Sequence, residues 1–516
     1  MKFTNQPYSR LSLLLCSALL MQSCSKNFQQ INTNPDAVST ATPQYIFSKA
    51  LYDGASNSGN TQSLLLGHMQ YTTSYNDVAG FGSKYVAAQQ AQSASVFASS
   101  YSTQINEIGE VIKSVKDNAS QVNLYAVARI WKVFCFSRLT DLYGDIPYSQ
   151  AGQGYNSSIF QPVYDAQKDI YADMLKELDQ AAQSLNAGNT TTFGSSDLVY
   201  NGNTLQWKKF AYSLMMRLGM RMTKVDAAAA QSWVTKAIAG GVITAYTDIA
   251  KVNYAGSGQD INKNPLALGM LNSDYIKADG LNNTEGGKYQ QSFIDSLKAN
   301  NDPRLSVISV VYQNGVANST PAVQKGLPAT VNGVKPTDFG TYSEPKQNTV
   351  LRVDAPMLIF TAAESYFLLA EAALRNWYTA ETADALYQKG VRAAMQQWDL
   401  ISGVTGTITG AQTDAYVTTH PLTAKGSTVD NQTEQIYTQF WLGIFPDAQE
   451  VFNNFRRTGY PKLVPNNYPG NATNGQFFRR FLYPVVEQTL NTSSYNAAVA
   501  RQGADAFLTR TWWDKQ

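Results

Sequence analysis

The feature that most limits what this chain can fold into is a run of apolar residues spaced three and four apart. Val163, Ala166, Ile170, Met174, Leu178, Ala181 and Leu185 fall on one face of a helix. Pro162 suits the first turn and Gly188 ends the run. Trp207, Phe210, Leu214, Leu218 and Met222 repeat the spacing. Asp226 can then cap a second helix that passes through Trp233 and Ile238 and stops at Gly240-Gly241. Each apolar face must be covered, so such neighbours pack as a helix hairpin. Pro356 is expected to open a further helix through Trp377, and Thr379 to cap the next, which runs to Trp398. Ala383 and Tyr387 match the small-x3-aromatic spacing of tetratricopeptide repeats.

No strict period runs along the chain, so the helix pairs are scattered units. Residues 244–288, 313–350 and 402–433 are rich in Gly, Asn, Thr and Pro. They read as irregular insertions near 244–350 and 402–433, longer than ordinary connections. Residues 305–312 (LSVISVVY) read as a short strand. The expected fold is mainly α: a tetratricopeptide-like helix-pair scaffold with a variable, loop-rich half and minor β.

The amino terminus reads as a processing segment. Lys2 and Arg10 precede an apolar stretch at residues 11–21 (LSLLLCSALLM). At about 1.5 Å per residue it reaches only about 17 Å, short of a bilayer core of about 30 Å. The expectation is a signal peptide over 1–23, with Cys24 lipidated after Ser23, followed by an extended leader over 24–43. Cys135 then remains alone in IWKVFCF, as a small buried hydrophobe. The candidate span at 356–374 is interrupted by Glu364 and Glu371. The protein is therefore expected to meet the membrane through a lipid anchor.

Charge and chemistry narrow the function. Forty Lys+Arg face 38 Asp+Glu, and with Lys2 and Arg10 removed the two signs balance. That argues against a nucleic-acid partner, which calls for a basic excess. His68 and His420 have no metal-ligand spacing to each other or to Cys, so neither metal nor cofactor is expected. No Walker loop, dinucleotide fingerprint or nucleophile elbow occurs. Glu364 and Glu371 are the best carboxylate pair on one helix, and arginine-paired structural groups are the expected reading. Asp141 and Asp145 flank Tyr143-Gly144 and could cap or bind cations, with a turn role after a helix the expected reading. No enzyme is expected.

Several segments, in order, resemble the SusD/RagB family, nutrient-binding outer-membrane lipoproteins of Bacteroidetes. They begin with Ile31-Asn32-Thr33-Asn34-Pro35 and the run Arg138-Leu139-Thr140-Asp141-Leu142-Tyr143-Gly144-Asp145-Ile146-Pro147-Tyr148. Trp207-Lys208-Lys209-Phe210-Ala211 with Arg217 and Arg221 follows, then Asp302-Pro303-Arg304-Leu305. Next come residues 363–372 (AESYFLLAEA), Arg456-Arg457-Thr458-Gly459-Tyr460-Pro461, and Gly503-Ala504-Asp505 with Trp512-Trp513. The resemblance implies a SusD-like helical domain over 44–516. It also implies capture of an oligosaccharide, or another oligomeric nutrient, at the exterior face of the outer membrane. A TonB-dependent, SusC-like barrel would be the partner. A peptide-binding protein on the same scaffold and a protein-interaction scaffold are the alternatives.

Sugar rings present CH faces that stack on flat aromatics and hydroxyls that pair with polar tips. Tyr71, Tyr75, Phe81 and Tyr85 lie in one polar, Gly-containing stretch, and Tyr275 and Tyr289 flank another. These six are the candidate ligand contacts. If they are packing groups, the site falls to 313–350 or 402–433. Trp207, Trp377 and Trp398 sit on helix faces and are expected in the core, while Trp512 and Trp513 are expected to dock the carboxyl end.

Overall fold

In the computed structural model, which describes residues 42–75, 83–85, 89–272, 287–313, 315–331 and 333–515, the first helix is α1 (Pro43–His68). A two-residue strand, β1 (Thr72–Thr73), follows it. Helix α2 (Gln89–Ser100) runs through a π turn, Tyr101–Ile105, into α3 (Asn106–Val115). Ile108, Val111 and Val115 form the buried stripe of α3, at helical spacing. Helix α4 (Val122–Tyr143) has no such stripe, because from Asn123 to Tyr143 nearly every residue is buried. A helix apolar on all sides must be surrounded, and α4 is the axis around which the first half assembles. Cys135 lies on it as a buried free thiol.

The run at 163–185 starts later than its spacing predicts. β2 (Ile146–Pro147) pairs antiparallel with β3 (Tyr164–Asp165), and α5 begins only at Gln167 (Gln167–Ser184). The reason is Asp145, whose Oδ1 accepts the Gln167 N–H at 2.9 Å and so caps α5 from a remote turn. Val163, placed on the apolar face by spacing, is 44% exposed. The next pair follows the sequence closely. α6 (Thr204–Arg221) is capped by Asn203, and α7 (Ala227–Gly240) by Asp226, whose carboxylate accepts the Ala229 N–H at 2.9 Å.

The middle of the chain supplies the short strands. β4 (Ala250–Val252) and β5 (Lys288–Tyr289) precede α8 (Gln291–Ala299). The segment read as a strand at 305–312 divides: Arg304–Ile308 is a helix, α9, and only Ser309–Gln313 is strand β6. Pro303 occupies the turn before α9 and the Asp302 carboxylate accepts the Arg304 N–H at 2.9 Å, so a helix start precedes the apolar run. β6 lies between β7 (Val316–Asn318) and β8 (Glu344–Pro345).

Two helix starts also move. Residues after Pro356 form strand β9 (Met357–Phe360), antiparallel to β4, and Thr361 then caps α10 (Ala362–Leu374). Thr382, not Thr379, caps α11 (Ala383–Gln396). A β-carbon on Gly390 would lie 2.8 Å from the Phe367 ring, so only glycine lets α11 approach α10 this closely. The stretch 402–433 carries helix α12 (Gly410–Thr419), with a capping box of Thr409 and Gln412, and the first turns of α13 (Val429–Gly443). α14 (Ala448–Thr458) and α15 (Thr492–Gln502) complete the order.

Where α4, α6, α10 and α14 meet, the core is charged. Arg217 donates to both oxygens of Glu364, at 2.6 and 2.7 Å. Arg221 lies 3.5 Å from Asp141 and pairs with Glu450. Arg457 holds Glu371 at 2.9 and 2.7 Å. All of these side chains are buried. The carboxyl-terminal Trp513 is fully buried and donates its indole N–H to Asp141 at 3.0 Å. Trp207 and Trp398 are core residues, and Trp377 is half-buried. The carboxylates expected to be structural are therefore ion-paired to arginines that couple one helix pair to the next.

Candidate functional site

The two aromatic segments singled out in the sequence meet in space. β1 and β5 pair antiparallel, with Thr72 opposite Tyr289 and Thr73 opposite Lys288. Tyr289 in turn donates its N–H to Ser343 and accepts from Leu327. Strand pairs so remote in sequence form only because the surrounding helices fix their ends.

This junction buries the tyrosines. Tyr71 and Tyr289 are fully buried, and Tyr85 nearly so. Tyr71 donates its hydroxyl to Trp441 O at 2.6 Å and packs against Phe293 and Phe445. Tyr289 donates to Ile308 O at 3.0 Å. Tyr85 packs edge-on against His68 and Phe478. None of these three presents an open ring face in this structure, so the stacking role expected of them has no surface to act through. Tyr75 belongs to a smaller cluster with Leu327, Phe339 and Tyr342, and meets Phe339 edge-on at 5.2 Å. Phe81, Tyr275 and Cys24 lie outside the described residues.

Around Tyr75 the surface changes character. Lys84 donates to Ala329 O at 3.0 Å and Val331 O at 2.7 Å, and its ammonium sits 4.7 Å from the Tyr468 ring. The amide of Gly333 donates to Tyr75 O at 2.7 Å, and Asn466 donates to Ser83 O at 2.8 Å. Thus Ala329, Val331 and Gly333, and Asn466, Tyr468 and Ala472, are laced to Tyr75 and to Ser83, Lys84 and Tyr85. Lys325 bridges to Asp338 at 2.8 Å and lies 4.2 Å from the Tyr342 ring. That hydrogen bond raises Lys325 and lowers Asp338, fixing both charges.

Below them Lys288 and Glu344 form a buried pair at 3.0 Å, with Lys288 4.9 Å from the Phe339 ring. Burial lowers Lys288 and lifts Glu344 to about 7 against the pull of Lys288. The rings of Tyr75, Phe339, Tyr342 and Tyr468 are themselves buried, so the junction forms a rigid floor whose exposed polar edge is the Lys325–Asp338 pair. That charged edge can pair with a polar ligand. Among the described residues no group of three His, Cys, Asp or Glu side chains could hold a metal. His68 is buried among aromatic rings, and His420 stacks on Tyr416 at 4.1 Å.

Sequence reasoning missed Phe339, Tyr342, Tyr468, Lys84 and Lys325. The only signal for the first two was the composition of 313–350, which marked a region and no residue.

A family described as starch-binding and associating with the outer membrane matches residues 35–484. The chain belongs to this SusD-like family. Its fold is similar to that of a chitin-binding protein, with TM-score 0.79 and 29% identity over 92% of this chain and 100% of that one. It is similar also to a SusD-like protein of Bacteroidetes, with TM-score 0.81 and 26% identity over 92% and 100%. A chitin-binding SusD homolog from Flavobacterium johnsoniae gives 0.73 and 25% over 92% and 98%. No curated protein matches in sequence. SusD-like proteins are binding proteins associated with the outer membrane. Among the described residues no helix is long and apolar enough to cross a membrane.

Proposed function

We propose that this SusD-like protein captures an oligosaccharide at the outer surface of the outer membrane and passes it to a TonB-dependent, SusC-like barrel. It acts without catalysis and is held to the membrane by lipid on Cys24. The observation that carries the ligand class is the similarity, along the full length of that chain, to a chitin-binding protein at 29% identity. The exposed Lys325–Asp338 pair over this rigid junction is consistent with it, since such groups suit sugar hydroxyls.

The test is isothermal titration of the mature protein with chitohexaose, maltohexaose and a control peptide library. Saturable binding of a hexasaccharide supports the reading. Binding of peptides alone refutes it. Delivery is tested by pulling on a carboxyl-terminal tag in mild detergent at native expression, where recovery without a barrel partner refutes it. A lid covering a barrel should bury more than the roughly 1,600 Å² of a standard interface. Anchoring is tested by Cys24→Ala, which should release the protein from the membrane and abolish fatty-acid incorporation.

A further inference from the structure

A second concavity, separate from the junction of β1 and β5, opens between the first turns of α1 and the chain that leaves β4. It encloses about 590 Å³. Tyr45, Tyr52 and Tyr254 line it, with Asn253 and Asn262 beside them. Tyr45 is 73% exposed, an unusual cost for a residue one turn into a well-packed helix. Tyr254 lines the same space, and its hydroxyl has no hydrogen-bond partner among the described residues. A buried hydroxyl without a partner calls for one from outside.

The walls are fixed in advance. Asn253 and Tyr254 follow directly from β4, which is paired to β9. Gly256 has φ +73° and presses so closely on Asp354 that a β-carbon would lie 2.4 Å from that side chain. Its amide donates to Asn262 O at 2.8 Å, closing the loop. On the opposite wall Lys49 bridges Asp53 at 2.5 Å and Glu107 at 2.7 Å, so the carboxylate of Asp53 is held at the cleft. An exposed tyrosine beside two half-buried ones, side-chain amides and a fixed carboxylate on a preformed surface are what a sugar ring needs: a face to stack on and groups for its hydroxyls.

We infer that this cleft, lined by Tyr45, Tyr52 and Tyr254, is a second saccharide-binding site. The inference rests on the glycan reading above and adds a location to it. A chain with two such sites can hold a long oligosaccharide at two points or two chains at once, so overall avidity exceeds either site's affinity.

The test uses chitohexaose and maltohexaose, each carrying a photoactivatable diazirine, on the mature protein, with labelled peptides identified by mass spectrometry. The expected result is labelling of peptides covering 43–54 and 250–263. Tyr45→Ala should reduce that labelling at least five-fold and leave labelling elsewhere and the melting temperature unchanged. Tyr254→Phe, which keeps the ring, should also weaken it. Labelling confined to other peptides overturns the second site and leaves the glycan reading standing, as does equal labelling in both variants. No competable labelling by either sugar overturns both.

Discussion

Glu364 and Glu371 sit seven residues apart on α10, yet their surroundings push them in opposite directions. Burial would raise Glu371, but Arg457 at two contacts, then Arg375 at 2.8 Å and the Tyr437 hydroxyl, outweigh it and bring it down to about 2. Burial lifts Glu364 to about 7, because Arg217 only partly offsets it and Glu450 adds repulsion. A carboxylate moved from about 4.5 to about 2 on folding contributes about 3 kcal/mol at neutral pH. Glu371→Gln removes that charge and leaves Arg457 buried without its partner, a loss of about 3–5 kcal/mol. Glu364→Gln should cost under about 1.5 kcal/mol. Its site already tolerates a neutral carboxyl, Arg217 keeps Glu450 at 3.5 Å, and a cavity of about 40 Å³ borders it. Urea unfolding at pH 7, followed by near-ultraviolet circular dichroism, measures both. If Glu364→Gln proves as costly as Glu371→Gln, the assignment of opposite environments is wrong.

Other outcomes follow from the same geometry. Glu107, Glu344 and Glu364 are each lifted to about 7, chiefly by burial, so between about pH 4.5 and 7 the native state holds protons that the unfolded chain has released. Stability should therefore fall as pH rises across that window, and Glu344→Gln should flatten the slope in urea midpoints taken from pH 5 to 7.5. Glu371 works the other way, its contribution being complete above about 4.5 and lost as pH falls toward 2, so Glu371→Gln should blunt acid unfolding. Gly390→Leu drives a side chain into Phe367 and should cost at least about 1–3 kcal/mol, whereas Gly109→Leu, at a position with open space, should cost about 1 or less. Alanine at the buried Phe339 should cost about 3–5 kcal/mol of stability, while Lys325→Ala should leave stability within about 0.5 kcal/mol, both read from urea midpoints.

The helix pairs were legible where a periodic apolar face coincided with a capping residue, as at Asp226 before α7. Short apolar runs were not. Residues 357–360 (MLIF) continue into a helix by composition, and only the partner strand β4 makes them β. The run LSVISVVY split for a reason present in the sequence, Asp302-Pro303 just before it, which marks a helix start. Thr409-x-x-Gln412 was likewise a readable capping signal inside a stretch that composition alone marked as irregular. Burial of Tyr71 and Tyr289 was not readable, because it depends on β1 meeting β5 across more than two hundred residues, and that of Tyr85 depends on the equally remote Phe478. The arginine pairing of Glu364 and Glu371 was legible as a class of interaction, while the identities of the partners were not.

Trp513 reaches back across 372 positions to hydrogen-bond Asp141, and Asp514 beside it pairs with Arg479. During synthesis the helix carrying Asp141 precedes Trp513 and Asp514 by most of the sequence. Until they arrive, the aspartate and its arginine neighbours lack a wall, and water can enter the charged centre of the domain. Closure of the interior is thereby coupled to the arrival of Trp513 and Asp514. A chain cut just before Trp513 would lose that closure and should be digested more readily by added protease.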